Sequence, residues 1–269
     1  MPPPIALTIA GFDPSSGAGI TADLQTFAAH RLFGTSAITA LTVQSTVEVA
    51  AVEPLSAKLL RQTLDHLNAD LPPAGIKIGM LATREIVAET TAFISTHKLL
   101  IPIALDPIIL SSSGAPLLDR EGLRALQEEL LNHVSWITPN WAELAVLTSR
   151  KVQFPPDAET ALHALGHRYP HLHIVATGGD HGDQPLDLLR TPTGEIHSFP
   201  GKRIDTTSTH GTGCAFSSAL LSRLILGDTP LAAVAGAKAF VEGALRHAPG
   251  LGHGRGPMDL LWPLRLPSA

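Results

Sequence analysis

Two glycine-rich turns carry most of the residues in this chain that could do chemistry. The first, FDPSSGAGITAD, sets Asp13 and Asp23 on either side of Gly17 and Gly19. A carboxylate on each side of a glycine loop suits the gripping of a small polar ligand. The second begins at Asp205, DTTSTHGTGCAFSSALL, and places Gly211, Thr212 and Gly213 directly before a helical stretch. Backbone N–H groups that lack intrahelical partners can converge there on an anion, and the helix dipole favours negative charge at the same place. Cys214 falls in the first turn, where this field is expected to lower the thiol pKa and make it reactive. The alternative is a small buried cysteine behind an ordinary glycine turn.

Two further pairs of polar residues mark strand ends. Asn140 and Glu143 in ITPNWAE stand three apart at the start of a helix, which puts both on one face. An acid there suits Mg²⁺ held through water; the structural alternative is Asn140 as helix cap with Glu143 in the first turn. Asp106, before Pro107, is a second candidate carboxylate, or simply the start of a turn.

Three other motifs fail on inspection. GAGITA formally fits the dinucleotide fingerprint, but its loop is too long for the tight turn, and Gln44 rather than an acid stands about 20 residues on. No glycine–lysine–Ser/Thr ending supports a P-loop. His163 and His167, with His171 and His173 nearby, lack the glutamate of HExxH, so a solvated helix face is expected there rather than zinc.

The elements that must position these residues follow from periodicity. Apolar β-formers predict strands at 5–10, 35–43, 75–79, 101–105, 134–137 and 173–177, with an extra strand or flap at 47–52. Helical spacing predicts helices at 20–30, 56–67, 83–97, 119–131, 141–147, 157–167, 213–226 and 230–247, with Ser56 and Thr83 as N-caps. Segments 186–190 and 195–199 flank TPTG and predict a β-hairpin. Alternation of this kind implies an α/β fold with a mainly parallel sheet, covered on both faces, and ligands outside the carboxyl ends of the strands.

Composition agrees. Of 269 residues 44% are hydrophobic and only 4% aromatic, so the core is aliphatic. With 24 acidic and 19 basic side chains the formal charge is -5, which gives no long-range pull on nucleic acid or anionic lipid. An anionic ligand must be held locally. The single cysteine excludes an intrachain disulfide and fits a reducing compartment. There is no basic leader and no charge-free apolar run of the ~20 residues that span a bilayer. The expectation is a cytoplasmic protein without membrane or nucleic-acid partners, and one domain over residues 1–269, since neither a linker nor a repeat divides it.

The segments ALTIAGFDPSSGAGITADLQTF, ALTVQST, KIGM, ALDPIILSSSG, ITPNWAEL, THGTGCAFSSAL and LGHGRGP together resemble the hydroxymethylpyrimidine and phosphomethylpyrimidine kinases of thiamine biosynthesis, in the ribokinase-like superfamily. The likeness runs from about Ile5 to Pro257 in the family's order. It implies a three-layer α/β/α domain with a small β flap, usually a dimer. The implied activity is phosphorylation of 4-amino-5-hydroxymethyl-2-methylpyrimidine with MgATP, and then of the monophosphate to the pyrophosphate. A pyridoxal or pyridoxine kinase on the same scaffold, or a non-catalytic pyrimidine sensor, are the alternatives.

By position, Gly11, Asp23, Gln44, Met80 and Ile108 are implied to surround the pyrimidine, with Gln44 reading its ring and amino group. Gly211, Thr212 and Gly213 are implied as the anion hole, and Cys214 as the base. Asp106, Asn140, Glu143, Thr177, Thr209 and Lys238 are implied on the ATP side, with Mg²⁺ held by Asp106 and Glu143 through water. The sequence departs from the family at Phe12, where a small hydroxyl residue is usual, and at Ser16, where glycine is. Ala176 and Thr177 stand where a lysine is common, and the stretch 111–114 lacks a basic residue often found there. Fewer cations should weaken the second transfer, whose acceptor is already anionic, more than the first.

Overall fold

The computed structural model describes residues 2–110, 116–179 and 185–265. Nine strands form one sheet in the order β3-β2-β1-β4-β5-β6-β7-β8-β9. Six of them run parallel: β1 (Ile5–Phe12), β2 (Phe33–Gln44), β4 (Gly75–Ile78), β5 (Ile103–Leu105), β6 (Trp136–Ile137) and β7 (His173–Ala176). Strand β3 (Val49–Pro54) pairs antiparallel with β2 as the expected flap, and β8 (Leu186–Arg190) and β9 (Ile196–Pro200) form the expected hairpin at the other edge.

Helices cover both faces, and the alternation of side chains along each strand decides which residue meets which layer. Leu7, Ile9, Ile76, Ile78, Ile103 and Leu105 point into the larger apolar cluster. That cluster is closed by α2 (Ala57–Asp70), α3 (Arg84–His97), α4 (Arg120–Glu128), α5 (Trp141–Thr148) and α6 (Pro155–Arg168). Ala6, Ala104, Trp136 and Val175 point the other way, toward α1 (Gly19–Ala29), α7 (Thr212–Ile225) and α8 (Pro230–Arg246). A short α9 (Trp262–Arg265) lays Trp262 against α8, with its indole N–H donating to Phe240 O.

Caps fall where the sequence puts them. Ser56 Oγ accepts from Leu59 N, and Thr83 Oγ1 from Ile86 N. The predicted helix over 119–131 is instead α4 followed by a 3-10 turn at Leu130–Asn132, which buries Leu130 and Leu131 under the sheet. His163 and His167 are exposed on α6, and His173 stacks on Trp136 with ring centroids 4.1 Å apart. No helix among the described residues is long and apolar enough to cross a membrane.

Candidate active site

Chain order and sheet order together place the site. Reading across the sheet, the residues at or just beyond the carboxyl ends of the parallel strands are Gln44, Asp13, Met80, Asp106, Asn140 and Thr177. The strand order reverses between β1 and β4, and a crevice at such a switch point is where open α/β sheets bind ligands.

The Gln44 end of the strand edge combines a small apolar cluster with one amide. Met80 and Ala40 form a small apolar cluster with Val52 from the flap and Ile108 beyond β5. Gly11 faces this cluster, since a Cβ there would lie 3.1 Å from Met80 Sδ. Gln44 is half-buried, with its amide 3.0 Å from His210 Nε2 and 3.3 Å from Thr42 Oγ1. Gly11, Met80 and Ile108 are therefore brought together, and Gln44 ends the strand β2 that flanks them.

Asp23 is not with them. Its carboxylate is fully buried on α1 and accepts from Thr8 Oγ1 at 2.6 Å, Ser218 Oγ at 2.7 Å and Lys77 Nζ at 2.9 Å. In this structure it is enclosed by side chains of β1, β4 and α7 and is not on the surface of the Met80 cluster. Asp13 is likewise spent inside its own loop: it accepts from Ser15 N, Ser15 Oγ and Ala18 N, and pairs with His210 Nε2 at 2.8 Å. Burial alone would raise its pKa, but the bonds from His210 and Ser15 hold it below the usual carboxylate range. Both acids that flank the glycines are engaged by groups of the protein itself. Ser16, in the family's glycine position, adopts φ 60°, a left-handed conformation that glycine takes without strain.

Lys77 was invisible to sequence reasoning. It sits between Ile76 and Ile78, so strand alternation alone turns it toward α1 and α7, where a fully buried ammonium needs an acid. Burial would depress its pKa; Asp23 overrides this and raises it. An uninterrupted four-residue strand with one lysine facing the Asp23 helix was the available signal.

The Gly211–Gly213 turn packs on the first glycine loop. Gly211 has φ 76°, and a Cβ there would run into Gly17 O, so Gly211 and Gly17 meet backbone to backbone. Gly213 is exposed and Cys214 is buried behind it, with the Gly19 backbone N–H directed at its sulfur. The N-termini of α1 and α7 thus converge on Cys214. Its pKa is nonetheless pushed up to about 12: burial outweighs the pull of Lys77, and Asp106 adds to the rise. The expectation of a lowered thiol pKa fails because an enclosed sulfur loses more hydration than helix ends return.

Asp106 and Glu143 are both buried. Burial raises Asp106 to about 6 against the opposing charge of Lys77. Glu143 is raised well above its ordinary value, first by burial and then by Asp106. Two crowded carboxylates of this kind suit a hard divalent cation, whose charge would relieve both. Ser217 Oγ donates to Asp106 Oδ2 at 3.3 Å and positions it. Asn140 and Glu143 also form a complete capping box on α5: Asn140 Oδ1 accepts from Glu143 N and Glu143 Oε2 accepts from Asn140 N, each at 2.9 Å. One Glu143 oxygen therefore caps the helix while the side chain as a whole faces Asp106.

At the far end Thr177 pairs with Asn140 across an isolated bridge. Lys238 Nζ lies 2.7 Å from Asp187 Oδ2, whose other oxygen accepts from Gly178 N. Lys238 thus ties α8 to the loop after β7. Thr209 donates its backbone N–H to Thr207 O on the approach to the anion hole. Ala176 ends β7 with its methyl in the core. The stretch 111–114 lies outside the described residues.

Known proteins share this sequence pattern and this fold. Residues 13–259 match the family profile described as phosphomethylpyrimidine kinase. A hydroxymethylpyrimidine/phosphomethylpyrimidine kinase of Synechococcus elongatus is 36% identical over 261 residues, 97% of this chain and 98% of the relative. One from Rhizobium meliloti is 38% identical over 258 residues, covering 94% and 96%. The fold superposes on a Staphylococcus aureus pyridoxal kinase in complex with AMP-PCP and pyridoxal, with TM-score 0.87, 27% identity and coverage of 98% and 96%. A phosphomethylpyrimidine kinase of Clostridium difficile superposes with TM-score 0.77 at 31% identity, over 89% of this chain and 98% of that one.

Proposed function

The chain belongs to the phosphomethylpyrimidine kinase family, and from that premise we propose that it transfers phosphoryl groups from ATP to 4-amino-5-hydroxymethyl-2-methylpyrimidine and then to its monophosphate. The observation that carries this reading is the grouping of Gln44, Met80, Ile108 and Gly11 at one end of the strand edge. The Gly211–Gly213 turn lies between that pocket and the Asp106/Glu143 pair.

Phosphoryl transfer asks chiefly for alignment and charge stabilisation. Gln44 offers an amide donor and acceptor to the edge of an aminopyrimidine, and Met80 and Ile108 supply apolar walls. The exposed N–H groups of the Gly211–Gly213 turn receive the transferring phosphoryl oxygens, helped by the dipole of α7. Asp106 and Glu143 would hold Mg²⁺ through water, and that ion supplies charge neutralisation on the phosphate oxygens. Cys214, next to the anion hole, takes the hydroxyl proton. Burial first, and then the charge of Asp106, make it a neutral thiol in the free protein, so proton uptake by Cys214 depends on the charges that surround it when substrates are bound. Thr177, Thr209 and Lys238 line the nucleotide end.

With Ala176 packed in the core and Lys238 engaged by Asp187, the second transfer, whose acceptor carries a phosphate, is the slower one. Purified protein with MgATP and the pyrimidine, with mono- and pyrophosphate resolved over time, tests the reading. ATP consumption that does not depend on the pyrimidine would overturn it.

Likeness to pyridoxal kinases supports a second reading, in which pyridoxal is phosphorylated in the same pocket. A steady-state comparison of the two heterocycles decides between them. Exposed Phe33, Leu41, Val43 and Val47 on and beside β2 support a homodimer, which sedimentation tests.

A further inference from the structure

His210 is the residue immediately before the anion-hole turn, and nothing in its position requires an ionisable side chain there. Its backbone is fixed by a bond from its N–H to Gly256 O at 3.1 Å, and its ring lies against Gly17, where a Cβ would run into Cδ2. One ring nitrogen, Nε2, faces two groups at once: Asp13 Oδ2 at 2.8 Å and the Gln44 amide at 3.0 Å.

These two contacts restrict each other. Asp13 accepts three further hydrogen bonds, from Ser15 N, Ser15 Oγ and Ala18 N, so it is an ionised acceptor and the proton of the shared bond sits on His210 Nε2. A nitrogen that donates to Asp13 has no lone pair left for an amide N–H. The Gln44 terminus beside it must then be the oxygen, an exchange that leaves the heavy-atom outline unchanged. The amide nitrogen at the other terminus donates to Thr42 Oγ1, whose hydroxyl passes its own proton to Phe12 O at 3.0 Å. Apart from one Gln44 N–H, every side-chain donor assigned along Thr42, Gln44, His210 and Asp13 then meets an acceptor. Gln44 retains one lone pair and one N–H for a ligand.

We propose that His210 is a specificity-determining positioning residue: by donating from Nε2 to Asp13 it fixes the donor–acceptor order of the Gln44 amide, and so fixes which way round the heterocycle binds. This deepens the function proposed above and rests on it. Along the edge of the pyrimidine the order is C5 hydroxymethyl, C4 amine, bare ring nitrogen, C2 methyl. An amide with its oxygen on the His210 side takes the amine on that side and the ring nitrogen away from it. The hydroxymethyl group, next to the amine, then points toward His210 and the turn that follows it, where Cys214 and the phosphoryl group meet. The reversed amide would pair with the same edge only if the ring turned over, carrying the hydroxymethyl group away from the turn.

The 4-oxo analogue, with a carbonyl and a ring N–H in place of the amine and bare nitrogen, presents the inverted pattern and is the probe. Binding of both heterocycles to wild type, H210A and H210Q is measured by calorimetry, with kcat and KM for the aminopyrimidine alongside. Wild type is expected to prefer the amino compound. H210A should lose about tenfold or more of that preference, the size of one lost hydrogen-bond discrimination. H210Q, whose amide nitrogen can still donate to Asp13, should recover most of it.

Unchanged discrimination in H210A, or a fall in kcat alone with no change in KM or in preference, overturns the proposal. Long-range ¹H–¹⁵N correlation spectra of histidine-labelled protein give an independent reading. The resonance missing in H210Q should report a protonated Nε2, and a bare Nε2 also overturns the proposal. If wild type binds neither heterocycle, the proposed substrate fails, while the spectrum still reports the state of His210.

Discussion

Lys77 Nζ lies 2.9 Å from Asp23 Oδ2, and both side chains are shut off from solvent. A cation between two strand isoleucines would be intolerable without this partner, and Asp23 would be equally so without Lys77, Thr8 and Ser218. The pair joins β4 to α1 and α7 directly below the anion-hole turn. K77M or D23N should each cost about 3–5 kcal/mol, because each leaves the other group buried and unpaired. The K77M/D23N double variant should be markedly less unstable than the sum. Urea unfolding of the four proteins measures the coupling, and strictly additive losses would refute it.

Enclosure of Cys214 has a chemical consequence that a cysteine at a helix N-terminus does not normally have. With its pKa near 12, the thiol is neutral in the free protein at ordinary pH. Its raised value means that burial costs nothing below the unfolded thiol's value, and that stability is lost as pH rises from there toward 12. Iodoacetamide at pH 8 should therefore modify native protein at least about a hundredfold more slowly than urea-unfolded protein, since only the thiolate attacks. C214A should fold normally yet lose about 10²–10⁴ in kcat for the first transfer. Near-normal turnover would remove Cys214 as the base.

Asp106 and Glu143 give the site a pH dependence of definite sign. Both are acids with raised pKa values, so the folded protein pays no charge cost while they are protonated. Stability falls as pH climbs from the ordinary carboxylate range through about 6, the value for Asp106. A divalent cation competes with the protons on these acids, so it stabilises more where Asp106 is ionised than where it is protonated. The rise in Tm on adding MgCl₂ should be clearly larger at pH 7.5 than at pH 5. E143Q, which keeps a side-chain oxygen for the Asn140 N–H, should retain the cap and stability but lose the Mg²⁺ response. An equal Mg²⁺ shift at both pH values would exclude this pair as the cation site.

Part of the strand edge was legible in the sequence because three strands end near residues that break them: Gly11 in β1, Asp106 before Pro107 after β5, and Pro139 before Asn140 after β6. Local chemistry of that kind is written in neighbouring residues. The partners of Asp23 were not, since Thr8, Lys77 and Ser218 are brought to it by alternation on two strands and by a helix some 195 positions away. Sequence places Asp23 beside the glycine loop, and only the packing of α1 on the sheet turns it inward toward Lys77. His210 was overlooked because its neighbours Gly211 to Cys214 carry the recognisable motif. Its two partners, Asp13 and Gln44, lie at the ends of different strands.

Gly211 and Gly213 stand two apart in one motif but have different reasons to be glycine. Gly211 adopts φ 76° and touches Gly17 O where a side chain would begin, so G211A combines backbone strain with a backbone clash. It should destabilise the fold by about 2–4 kcal/mol. At Gly213 the φ is ordinary for a helix, and a Cβ would meet only Asp106, at 3.5 Å from Oδ2, an unstrained contact. G213A should therefore fold as well as wild type, or better by up to about 1 kcal/mol from helix propensity. Its methyl group would stand where the phosphoryl oxygens approach, and kcat/KM for ATP should fall about tenfold or more, as when one donor of an oxyanion hole is lost. Thermal unfolding and ATP kinetics on the two variants separate the roles; a G213A protein with full activity would show that the anion is held elsewhere than on this turn.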